Sequence, residues 1–78
     1  MDVLYGRNAV LEALRAGRRV RRVLVARGAH GLDSLIAAAQ QARVRVEDVE
    51  RERLDRLLPG AHHQAVAAEA DRLAAFYE

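Results

Sequence analysis

Short apolar runs alternate with amphipathic stretches along this 78-residue chain. Val23 to Ala26 is continuous and rich in β-branched side chains. Such a run marks a strand buried on both faces, because a solvated face would need a polar residue at every second place. Before it, Val10, Leu11 and Leu14 recur at helical spacing and predict a helix over Ala9–Ala16. Asn8 suits its N-cap and Gly17 the position just past its end. After the strand, Gly28 to Gly31 forms a loop containing His30, and a helix is expected over Leu32–Ala42. Leu32, Leu35, Ile36 and Ala39 are its apolar stripe, and Asp33 suits its first turn. Val44 and Val46 alternate with Arg45 and Glu47, the period of a half-buried strand, with Val49 as a further candidate. Glu50 to Leu58 reads as a third helix with Leu54, Leu57 and Leu58 inward and a solvated face of alternating charge. Pro59–Gly60 stops it. Asp2–Tyr5 is expected as an edge strand or extended arm, broken by Gly6, and Ala65–Ala68 as a last short strand. The resulting order, β-α-β-α-β-α-β, is that of an α/β layer architecture. In the tail from Asp71 to Glu78, Leu73, Phe76 and Tyr77 lie at helical spacing. They suit either a cap on this domain or a linker whose apolar residues meet a neighbour.

Composition narrows the class. The length fits one small domain with a limited core. There is no cysteine, so disulfides and thiolate metal sites are excluded and a reducing compartment is the expectation. No apolar run of about 18 residues predicts a membrane span. No basic-then-apolar leader opens the chain. A cytoplasmic protein is therefore expected. All thirteen basic residues are arginine, and they are unevenly placed. Residues 1–28 hold seven arginines against Asp2 and Glu12, a net of +5, whereas residues 29–78 hold six against nine acids, a net of −3. That asymmetry describes a basic pole suited to phosphate.

Arg18, Arg19, Arg21 and Arg22 crowd the entrance of the central strand. Arginine binds phosphate bidentately and stacks on exposed bases, so the cluster is a candidate for RNA or, alternatively, an ordinary solvated face. Tyr5 is the one stacking aromatic near this half of the sequence. Gly6 and Asn8 stand where a loop feeds a helix, which reads either as a turn and cap or as backbone amides free to meet a phosphate. His63–Gln64 offers donors and acceptors in a row, to RNA or to the adjacent loop. His62 and His63 are neighbours that a strand would point to opposite faces, and no further ligand completes a metal set. The glycines are too dispersed for a nucleotide loop. Ser34, the sole serine, sits inside a helix without a base, so no catalytic constellation is expected.

Three stretches together resemble a known family. Tyr5-Gly6-Arg7-Asn8-Ala9-Val10 followed by Leu11-Glu12-Ala13-Leu14, then Arg22-Val23-Leu24-Val25, then His63-Gln64-Ala65-Val66 resemble the N-terminal substrate-binding domain of SpoU/TrmH-type RNA 2′-O-ribose methyltransferases. The branch methylating a guanosine of large-subunit ribosomal RNA is the most similar. The resemblance implies a three-layer α/β/α sandwich around a mixed, about four-stranded sheet, as in ribosomal proteins that bind kinked RNA. It implies an RNA-binding domain over residues 1–69, with 70–78 a linker or tail towards a separate C-terminal catalytic domain. That domain would bind S-adenosylmethionine and form a homodimer. The present chain alone would be a monomer without cofactor or catalysis. Arg7, Arg18, Arg19, Arg21 and Arg22 are the expected phosphate contacts, and Tyr5, Asn8, His63 and Gln64 the expected base or ribose contacts. The family usually has glycine where this chain has Ala65. If that glycine serves a positive φ or a close RNA approach, alanine costs conformation or contact; if it continues a strand, alanine is tolerated. The rival readings are a free-standing RNA-binding protein of the ribosomal type and a protein-interaction module built on the alanine-rich face and the tail.

Overall fold

The computed structural model describes residues 2–71; the expectations for Leu73, Phe76 and Tyr77 lie outside them. Seven elements follow in the expected order: β1 (Asp2–Tyr5), α1 (Arg7–Arg15), β2 (Val20–Ala26), α2 (Asp33–Gln41), β3 (Arg45–Val49), α3 (Arg51–Leu57) and β4 (Val66–Ala70). The strands form one mixed sheet in the order β1-β4-β2-β3. β4, the last in sequence, inserts between β1 and β2 and runs antiparallel to both, while β2 and β3 are parallel.

The two central strands carry the apolar runs because both of their faces are covered. Val23 and Val25 of β2 join Val66 and Ala68 of β4 under α1 and α2, where Val10, Leu14, Leu35 and Ala39 complete one core. Leu24, Ala26 and Ala67 point the other way and pack with Val49, Ala65 and Leu54 of α3. The alternation of side chains along each strand thus feeds two cores, giving the α/β/α layers. Leu24, Leu54, Val10, Val23 and Val66 are essentially fully buried, each worth roughly 1.5–3 kcal/mol relative to exposure. The outer strands are half-covered: Leu4 of β1 and Val46 of β3 touch the first core, while Val3 and Tyr5 are exposed on the opposite face.

Two expectations are corrected. Helix α1 begins at Arg7 with Gly6 as its cap, so Asn8 lies inside the helix and exposed. Gly6 adopts φ 90°, ψ 148°, a conformation near one populated essentially by glycine. From there its N–H donates to the Val66 carbonyl and its own carbonyl accepts from Val10 N–H. The turn out of β1 therefore starts the helix before Asn8 can cap it. In α3, Leu54 is buried and Leu58 partly so, but Leu57 is 41% exposed. This seven-residue helix reaches the sheet mainly through its middle turn.

Both longer helices end in the same motif. After α1, Arg18 N–H donates to Ala13 and Gly17 N–H to Leu14; after α2, Val44 N–H donates to Ala39 and Arg43 N–H to Gln40. This is the paired bonding of a Schellman cap, whose turning residue is left-handed. Gly17 fills that role at φ 76°, as expected, but Arg43 does so at φ 59°.

Candidate functional site

The candidate residues separate to opposite ends of the sheet. Arg18, Arg19, Arg21 and Arg22 lie where β2 begins, beside Asp2 of β1 and the end of β4, since Asp2 and Val20 both pair with Ala70. Tyr5, Gly6, Arg7 and Gln64 gather at the other end, where Gly6 bonds Val66 and Ala26 bonds Ala65. Seven residues of β2, at about 3.3 Å each, put roughly 20 Å between the two groups.

At the first end the arginines are met by carboxylates. Arg18 reaches Asp2 at 2.7 Å and also donates to the Asp71 carbonyl. Its Nε is buried without a partner. Arg21 is the extra residue of a bulge, since Val20 opposes Ala70 and Arg22 opposes Glu69. The bulge re-aims the strand's side chains, and Arg21 donates to Asp71 at 2.6 Å. Arg22 donates to Glu69 through Nε and Nη2 and to Glu47 through Nη1, so one guanidinium ties β2 to both neighbouring strands. Glu69, with 16% of its side chain exposed, is held below the usual carboxylate range by its hydrogen bond from Arg22, against the opposing effect of desolvation. The Arg21 hydrogen bond does the same to Asp71. Arg22 is held further from deprotonation by Glu69 and Glu47. Arg18, Arg21 and Arg22 thus fasten the sheet, and Arg19 is exposed with no ion pair among the described residues. The sequence asymmetry that described a basic pole is largely cancelled, because Asp2 of β1, Glu47 of β3, Glu69 of β4 and Asp71 just after it meet the arginines around the start of β2.

At the second end an open depression of about 500 Å³ is lined by Arg7, Gly28, Ala29, His30, Arg51, Gln64 and Ala65. It lies at the carboxyl ends of parallel β2 and β3, the usual ligand position of an α/β sheet. One hydrogen-bond chain holds its rim. Asp55 of α3 meets His63 Nε2 at 2.8 Å, and His63 Nδ1 accepts from Ala65 N–H at 3.0 Å. Because Nδ1 accepts, the imidazole is the neutral form with its proton on Nε2, which donates to Asp55. His63 is buried, so its ring serves the adjacent loop and presents no edge to a ligand. The bonded turn holds Gln64 at φ 54° and Ala65 at φ 68°. The family glycine's place is therefore left-handed, and Ala65 carries conformational strain there. Gln64 Oε1 in turn accepts from Arg7 N–H at 2.9 Å. The Arg7 guanidinium then donates to the carbonyls of His30 (2.9 Å) and Gly31 (3.4 Å). A Cβ on Gly31 would come within 3.0 Å of Arg7 Nη1, so glycine keeps this seat open.

Arg7 and Arg51 open α1 and α3, at the positive ends of their helices, where the dipole opposes a cation. Among the described residues Arg51 forms no ion pair, while Arg27 beside it is paired with Glu50. The depression thus combines cations held where the fold itself does not favour them, an exposed His30 and the Gln64 amide. Tyr5 and Asn8 are exposed at the same end, outside the lining. His30 and Arg51 were not singled out in the sequence. Their signal was their place just after two strands, but only the return of β4 to the same end brings Gln64 to them. A larger open depression, about 620 Å³ between α1 and α2, is lined by alanines together with Leu14, Gly17, Ser34 and Gln41, and by Arg15 as its one charged side chain. Among the described residues no cluster of His, Cys, Asp or Glu could hold a metal ion, and no helix is long and apolar enough to cross a membrane.

Comparison with known proteins agrees with this architecture. An archaeal translation termination factor, aRF1, has a similar fold at TM-score 0.67 and 18% identity over 90% of this chain. This chain spans 20% of that factor's length. A protein of unknown function from Bacillus halodurans C is similar at TM-score 0.69 and 26% identity, covering 88% of this chain and 71% of that one. No curated protein matches. The family model for RNA 2′-O ribose methyltransferase substrate binding matches residues 3–75. That match takes in β1 from Val3 onward, the other six elements and the whole lining of the depression, and the chain belongs to the SpoU substrate-binding family of RNA 2′-O-ribose methyltransferases.

Proposed function

We propose that this chain holds ribosomal RNA for an S-adenosylmethionine-dependent guanosine 2′-O-methyltransferase, and that the depression at the carboxyl ends of β2 and β3 is where the RNA seats. The match to the substrate-binding family over residues 3–75 carries the reading. The lining supports it: Arg51 supplies an unpaired cation, His30 a ring for stacking, and Gln64 and the Gly28–Gly31 loop close approach to a looped strand. In this reading the RNA-binding domain runs through β4 and Asp71, and the residues that follow lead towards a catalytic domain that supplies the cofactor site and the dimer. The enzyme works in the cytoplasm. Phosphate contacts would position the RNA without reading it, so target choice needs further contacts.

The test is a fluorescence-anisotropy titration against a structured ribosomal RNA hairpin and a shuffled duplex, at low and moderate salt. Arg51→Ala is expected to weaken hairpin binding and lower the salt slope by about one. Arg19→Ala, at the far end of the sheet, is expected to leave both unchanged. Loss of binding in Arg19→Ala with Arg51→Ala unaffected would return the site to the arginine cluster. Folded protein that binds neither RNA would favour the protein-interaction reading.

A further inference from the structure

Three acceptors at the depression are already engaged by Arg7. The carbonyls of His30 and Gly31 are taken by the Arg7 guanidinium, and Gln64 Oε1 is turned towards the α1 backbone, where it takes the Arg7 N–H. That last bond fixes the carboxamide. With its oxygen held inward, Gln64 presents its NH₂ group outward, from a side chain that is itself exposed. A freely rotating glutamine reads adenine with oxygen and nitrogen together; this one is committed to donation. Its backbone is committed too, since the His63–Ala65 bond holds the turn in which Gln64 has φ 54°, a strained conformation of the kind retained at ligand-binding positions.

Resting on the reading of the depression as an RNA seat, we propose that Gln64 tests the nucleobase beside a phosphate held by Arg51. It selects a base whose major-groove edge offers a carbonyl oxygen, O6 of guanine or O4 of uracil, over one that offers an amino group there, N6 of adenine or N4 of cytosine. An amino edge would set donor against donor, leaving both unpaired at the wall of the site.

Uracil and cytosine are isosteric and differ at this edge, so they make the cleanest probe. The chain is titrated with one RNA hairpin carrying either a uridine loop or a cytidine loop, at a single moderate salt concentration. Melting temperatures verify that each variant is folded. The expected result is uridine-loop binding tighter by about fivefold or more. Gln64→Glu keeps an oxygen for the Arg7 N–H but turns a second acceptor outward, so the preference reverses towards the cytidine loop. Gln64→Ala binds the two loops equally. Equal, salt-sensitive binding of both loops by the wild-type chain would overturn this inference and leave the RNA seat standing. So would a uridine preference that survives in Gln64→Glu. Folded protein that binds neither loop removes the RNA seat, and this inference with it.

Discussion

Arg43 and Ala65 share one backbone problem with different surroundings, and so allow a prediction from first principles. Both are left-handed, at φ 59° and 68°, which costs an L-residue about 1–2 kcal/mol. Arg43 is exposed at the end of α2, with no hydrogen bond or ion pair of its side chain among the described residues. Arg43→Gly relieves the strain. It gives back about 0.4–1 kcal/mol through the freer unfolded chain and about 0.3 kcal/mol of favourable charge at a helix end. The net is a gain of about 0.5 kcal/mol, or roughly 2–4 °C in melting temperature for a domain of this size. Ala65 is 3% exposed, with its methyl in the core against Leu24, Leu54 and Ala67. Ala65→Gly relieves the same strain but also forfeits a buried methyl worth about 0.8 kcal/mol, and the terms cancel. Thermal and urea melts of the two variants, with Gly17→Ala as the reverse change in the matching α1 cap, measure the difference. Arg43→Gly should rise, Ala65→Gly should stay within about 2 °C of wild type, and Gly17→Ala should fall. A gain from Ala65→Gly as large as that from Arg43→Gly would show that the buried methyl contributes nothing. A fall in Arg43→Gly would refute the reading of its cap.

Three further outcomes follow from particular contacts. His63→Asn keeps an oxygen where Nδ1 accepts from Ala65 N–H and should cost about 1 kcal/mol, whereas His63→Ala leaves that buried donor unpaired and should cost about 2–3 kcal/mol in urea melts. Leu54→Ala should cost about 2–5 kcal/mol by opening the second core, while the exposed Leu57→Ala stays within about 1 kcal/mol; equal losses would mean that α3 is rotated from its described position. The folded-state depression of Glu69 and Asp71 makes their contribution fully present above their ordinary values of 4.5 and 3.8 and lost as pH falls through the depressed ones. Acid titrations of the melting temperature should therefore show a decline beginning near those ordinary values, less steep in Glu69→Gln.

The order of elements was legible from residue periodicity, because strand and helix burial write period 2 and period 3.6 directly into neighbouring positions. Val23–Ala26 announced a strand covered on both faces, and it is. Gly17 announced the end of α1. The three motif stretches carried the family. Sequence could not place β4 between β1 and β2, since strand order rests on pairings between residues up to 68 positions apart, such as Asp2 with Ala70. That placement decided the candidate site. It brought Glu69 and Asp71 to the arginines, turning a run of positive charge into ion pairs that hold the sheet. It also carried Gln64 to the far end, where Arg7 arrives from the start of α1, His30 from the loop after β2 and Arg51 from the start of α3. Charge is additive along a sequence, but its effect depends on distance, and distance is a property of the fold.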